Sequence, residues 1–161
     1  MRRLLVGALL ALLLVAPAAR AATSPVYFLQ GEQAVGVPRD GATIESAVAA
    51  LLTGPTKAER KQGLRTYIPP ATRLDEVAFD EEAHVATVDL SGDFADGVKT
   101  EELGARVAQL VFTVTSVPGV DRVQVLLEGA TPVGLFRAAT TIAASAAGGR
   151  WRAGRRVGRG L

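Results

Sequence analysis

Few residues in this 161-residue chain have the type and spacing for chemistry. His84 is the only histidine, so a Ser-His-Asp triad would need it, and a histidine-bearing zinc site would rest on it and carboxylates alone. It follows the acidic run Asp80-Glu81-Glu82 at the start of a strand-like segment, with no partner at suggestive spacing. That setting reads as a surface histidine. Asp89 and Asp93, with Asp96 nearby, could form a pair of carboxylates for acid–base work or part of a calcium loop. The Asp-x-Asp-x-Asp-Gly pattern and the closing Glu of a calcium loop are both missing, so the plainer account is a strand end and a polar loop, with Asp93 bonding local backbone amides. No glycine-rich phosphate loop with its lysine follows a strand. Lys57, Arg60, Lys61 and Arg65 are the one basic concentration in the central region, and helical spacing puts the first three on one face. An anionic partner would suit that face; a solvated helix surface explains it as well. The residues point to no catalytic group, metal or cofactor.

The elements that must position these residues follow from periodicity. Pro25 to Gln30 is short, aromatic and β-branched, a strand buried on both faces. Residues 31–42 contain Gly31, Gly36, Pro38 and Gly41 and read as a polar loop. Thr43 can cap a helix in which Ile44, Ala47, Val48 and Leu51 make one apolar stripe, ended by Gly54-Pro55. Thr56 and Glu59 have capping-box spacing for one or two further turns, Gly63 ends them, and Pro69-Pro70 forces an extended link. Leu64 and Ile68 are placed to bury against the helices. Thr72 to Asp80 and His84 to Ser91 then form an antiparallel hairpin, the second run turning Ala86, Val88 and Leu90 to a covered face. A helix from Thr100 buries Leu103, Val107, Leu110, Val111 and Val114, leaving Glu101, Arg106 and Gln109 on the surface. Pro118-Gly119 ends it, and Val120 to Leu127 is the last strand. The order β-α-β-β-α-β predicts an α+β two-layer sandwich, a mostly antiparallel sheet with two main helices on one face.

Flanking segments set the context. Two arginines precede a twelve-residue apolar run, Leu4 to Val15, and Ala19-Arg20-Ala21 supplies small residues, the layout of a signal peptide over residues 1–21. The run is short for a membrane span, which takes about 20 residues; an uncleaved anchor is the competing account. The chain has no cysteine, which excludes disulfides, thiol chemistry and the lipid attachment of a lipoprotein. Residues 22–136 hold all 16 acids against nine Lys or Arg, a net charge of −7. Residues 137–161 hold six arginines and no acid, a basic, disordered tail suited to weak contact with an anionic membrane or cell wall. Nucleic acid is disfavoured by the acidic domain and by export.

Taken together, VYFLQ, AVAALLTGPTKAERKQGLRTYIPPATRL, VATVDLSGDF and VAQLVFTVTSVPGVDRVQVLLEG carry a resemblance. The combination of GPT-x-x-E, GL-x-T-x-IP, VDLS-x-x-F and PGV-x-x-V, in this order across residues 26–133, resembles the GerMN domain of GerM-type sporulation and germination proteins and of some actinobacterial envelope lipoproteins. The matching residues are Gly54, Pro55, Thr56, Glu59, Gly63, Leu64, Ile68, Pro69, Val88, Asp89, Leu90, Ser91, Phe94, Pro118, Gly119 and Val120. The resemblance implies a module similar to the ring-building motif that works by protein–protein association in the cell envelope, with an envelope protein or a second copy as partner and no known chemistry. The chain departs from the GerM-type pattern in having one copy of the domain and no lipobox cysteine. The competing function is binding or hydrolysis of an envelope polymer through Asp89 and Asp93 or the Lys57–Arg65 face. Export, an extracellular or envelope location and the absence of a lipid anchor complete the expectation.

Overall fold

A computed structural model describes residues 22–97 and 100–131. The expected signal peptide 1–21, the last residues of the expected domain and the expected tail 137–161 lie outside the described residues.

Two hairpins and two main helices build the domain. β1 (Thr23–Gln30) and β2 (Gln33–Asp40) pair antiparallel along their whole length, from Thr23 opposite Asp40 to Gln30 opposite Gln33. The segment expected as a polar loop is therefore a strand, and the element order gains one member. Gly36 and Pro38 misled as turn signals. Gly36 lies opposite Tyr27, whose ring crosses it so closely that an added Cβ would sit 3.2 Å from the ring; glycine there makes room for an aromatic neighbour. Gly31 supplies the turn, at φ +60°.

α1 (Ile44–Thr53) starts at Thr43, whose side chain accepts from Ser46 N–H, and buries Ile44, Ala47, Val48 and Leu51. The short α2 (Lys57–Lys61) starts at Thr56. β3 (Leu74–Asp80) and β4 (Val85–Leu90) form the second antiparallel hairpin, with a register shift between Leu74 and Glu76. A 3₁₀ turn at Gly92–Phe94 leads to α3 (Thr100–Thr115), which carries the chain back so that β5 (Arg122–Leu127) lies parallel to β4. The two sheets are β1-β2 and β3-β4-β5.

The architecture is mixed and mostly antiparallel, as the periodicities predict. α1 and α3 pack on each other, and each touches strands of both sheets, so the helix pair joins them around one core. Val26, Phe28, Val48, Leu51, Val88, Leu90, Phe94, Leu110 and Val114 are fully buried there. Leu64 and Ile68 join the same cluster.

Candidate functional site

The basic stretch folds back on itself. In α2 the Glu59 N–H donates to Thr56 Oγ1 at 3.3 Å, and the Thr56 N–H donates to Glu59 Oε2 at 2.7 Å, closing the capping box. The same carboxylate takes a two-pronged bond from Arg39 on β2, Nη1 to Oε1 at 2.9 Å and Nη2 to Oε2 at 2.7 Å. The Arg39 guanidinium also stands 5.6 Å from the centre of the Phe28 ring. The Arg39 bonds, opposed in part by burial and helped by Thr56, hold the Glu59 carboxyl at about 2, below its ordinary 4.5. Of the four basic residues, Arg60 donates to the Pro55 carbonyl, and Arg65 Nη1 donates to the carbonyls of Arg60 (2.7 Å) and Leu64 (2.8 Å). Two guanidinia are thus partly spent on local carbonyls. Lys57 and Lys61 are exposed, with no ion pair among the described residues. The structure therefore keeps only part of the expected anionic-partner face available.

The carboxylates near β4 are held by separate local anchors. Asp89 Oδ2 accepts the Gly129 N–H at 2.8 Å, tying β4 to the turn after β5, while its buried Oδ1 has no partner. Asp93 accepts the Ser91 hydroxyl at 2.9 Å and meets an exposed Arg73 at 3.5 Å; it bonds these side chains rather than the expected backbone amides. Ser91 in turn accepts the Arg73 N–H at 3.0 Å, so the Ser91–Asp93 corner fastens the end of β4 to the entry of β3. His84 is exposed at φ +54°, its Nδ1 2.9 Å from the Gly119 carbonyl oxygen. No group of three or more His, Cys, Asp or Glu side chains is placed to hold a metal among the described residues.

Sequence reasoning missed the most heavily bonded polar groups. Gln109, expected on the surface, is fully buried. Its Nε2 donates to the Tyr27 carbonyl and to Thr66 Oγ1, both at 3.2 Å, and its Oε1 accepts the Tyr67 N–H at 3.1 Å. One turn on, Thr113 Oγ1 accepts the Tyr27 N–H at 3.0 Å, and Ser116 donates to the Pro25 carbonyl at 2.9 Å. Arg106, also expected on the surface, is buried and donates to the carbonyls of Phe94 (2.6 Å) and Asp96 (3.2 Å). Burial lowers its pKa, against the opposing fields of Glu102 and Asp96. The signal was present in Gly104, Ala105 and Ala108: small residues beside the apolar stripe show that α3 is covered on more than one face.

The family-motif residues hold backbone together. Pro55, Leu64, Ile68, Val88, Leu90, Phe94 and Val120 are buried; Gly54, Gly63 and Gly119 have positive φ; Thr56, Glu59, Asp89 and Ser91 bond main-chain groups, and Pro69 accepts the Thr72 N–H.

A search of curated proteins returns no match. Among solved structures, the chain is similar to the tandem GerMN domains of the sporulation protein GerM from Bacillus subtilis, with 21% identity and a TM-score of 0.55 over 70% of this chain. The match spans 43% of that tandem chain, less than half its length. The first GerMN domain of the same protein is matched at 22% identity and a TM-score of 0.54, over 70% of this chain and 90% of that one. These likenesses establish the fold. The family model described as Germane, sporulation and spore germination, matches residues 25–133, the stretch that contains every element above but the first two residues of β1, and the chain belongs to that family.

Proposed function

We propose that this chain is an exported, non-catalytic assembly module of the bacterial cell envelope that serves sporulation or germination by binding an envelope protein or a second copy of itself. The observation that carries the reading is the family match over residues 25–133. The employment of the motif side chains supports it: they are spent on holding main chain, which suits a family defined by its scaffold. Asp89 and Asp93, the best-spaced pair for acid–base chemistry, are engaged with different local partners. No helix among the described residues is long and apolar enough to cross a membrane, so envelope retention would rest on the N-terminal segment, the arginine-rich tail or the partner.

The test is crosslinking of the full chain in the native envelope, followed by identification of what is captured. Recovery of a defined envelope protein, or of the chain itself, supports the module. Capture of polysaccharide alone, lost in the Asp89→Asn or Asp93→Asn variant, would overturn it in favour of polymer binding.

A further inference from the structure

The sequence contains two Asp-Gly pairs, Asp40-Gly41 and Asp96-Gly97, and the fold treats them in opposite ways. An aspartate followed by glycine is open to attack from its own main chain, because glycine has no side chain to shield its amide nitrogen from the preceding carboxyl group. At the first pair that attack is blocked. Asp40 ends β2 opposite Thr23, and the Gly41 N–H donates to the Ala22 carbonyl at 2.9 Å. Ser46 stands over Gly41 so closely that an added Cβ would lie 2.5 Å from its Oγ. Turning the Gly41 amide toward the Asp40 carboxyl therefore breaks a bond at the strand end and meets the first turn of α1.

None of this guards the second pair. Asp96 and Gly97 are both exposed after the 3₁₀ turn, Gly97 lies at φ +65°, and an added Cβ there would meet nothing within 4 Å. The Gly97 N–H has no acceptor, and the Asp96 carboxyl no ion pair, among the described residues. The Asp96 main-chain carbonyl is engaged, however. It accepts Arg106 Nη1 at 3.2 Å, and the Phe94 carbonyl accepts the same nitrogen at 2.6 Å. Arg106 is buried, meets neutral oxygens there, and has no partner for its Nε among the described residues.

We infer that Asp96-Gly97 is a site of isoaspartate formation and that Arg106 favours the isomerised product. The Gly97 nitrogen attacks the side-chain carboxyl carbon of Asp96. A C–N bond forms, and the hydroxyl of the protonated carboxyl group leaves as water with the amide proton. Water then opens the resulting five-membered imide, so the net change is an isomerisation with no loss of mass. Opening at the main-chain carbonyl routes the chain through Cγ and leaves the former main-chain carbonyl as a free carboxylate. That carbonyl is the one Arg106 holds. The reaction moves a negative charge from an exposed side chain onto an acceptor of a buried guanidinium, and a bond between two charged groups is stronger than one to a neutral carbonyl. Opening at the other carbonyl restores aspartate and leaves Arg106 with its neutral acceptor. The inference does not depend on the proposed function.

Ageing the full chain at neutral pH in water enriched in oxygen-18, followed by peptide mapping with electron-transfer fragmentation, tests both parts. The fragments distinguish isoaspartate from aspartate at each position, and only chains that have passed through the imide take up the label. Isoaspartate should accumulate at least about tenfold faster at Asp96 than at Asp40, and the two rates should converge in urea, where the fold no longer holds Gly41. The ratio of labelled isoaspartate to labelled aspartate at Asp96 should be about threefold or more higher in the folded chain than in the unfolded one, through the Arg106 bond. Asp96→Glu should abolish the signal at that position, since the longer side chain would have to close a six-membered ring. Equal rates at Asp40 and Asp96 in the folded chain, or no isoaspartate at Asp96, would overturn the site. A labelled ratio at Asp96 that does not change on unfolding would overturn the part given to Arg106.

Discussion

Glu59 carries more structure than its place on a five-residue helix implies. One carboxylate closes the capping box of α2 and receives both arms of Arg39 from β2, with side chains 15% and 22% exposed. Its folded pKa is lowered to about 2 from 4.5, so the stability it contributes is fully present above about pH 4.5 and disappears as pH falls toward 2. Glu59→Gln should cost about 2 kcal/mol near neutral pH, the scale of a hydrogen bond to a charged group. In urea titrations the gap between the two proteins should close across that acid window, with the unaltered chain falling to meet the variant. A gap that stayed constant down to pH 2 would show that the carboxylate's charge is not what braces β2.

At the scale of elements, the stretch from Gly54 to Pro69 separates routing from surface. Gly63 lies at φ +93°, beyond the last turn of α2, and Leu64 buries directly after it. A β-branched side chain there strains the backbone, so Gly63→Val should lower stability by about 2 kcal/mol or more. Lys61 is exposed on the neighbouring turn, and Lys61→Ala should stay within about 0.5 kcal/mol of the unaltered chain. Thermal melts of the two variants read the contrast directly; equal shifts would remove it. The capping box, both glycine stops and the β3–β4 hairpin were legible in the sequence because they depend on neighbours within a few residues. β2 was not legible. Its glycine and proline have local meanings as turn residues, and only the Tyr27 ring across the pair and the outward position of Pro38 give them their roles as strand residues.

For the molecule as a whole, the least legible feature is the polar seam between α3 and β1. No local pattern assigns Gln109 to Tyr27, because the bond joins residues 82 apart in sequence. Gln109→Leu keeps the volume roughly constant but leaves the Tyr27 carbonyl and the Tyr67 N–H without their partner. Orphaned buried groups cost about 1–3 kcal/mol each, so the expected loss is about 2 kcal/mol or more in a urea melt. A nearly neutral Gln109→Leu would mean that water or a shifted backbone replaces the amide. The candidate site was legible to a similar degree: the spacing of Asp89 and Asp93 was visible, but their separate partners, Gly129 and Ser91, depend on where β5 and the β3 entry lie in space.

That seam also governs the order in which the domain can be completed. The β1–β2 hairpin closes from neighbouring residues and emerges early from a chain made from the N-terminus. The Tyr27 N–H, however, waits for Thr113, 86 residues later. Until α3 is made, β1 has an inner strand edge without its helix, the kind of transiently unpaired edge that recruits other chains. The same bonds that finish the native domain therefore leave its first hairpin in need of shelter while the rest is being synthesised.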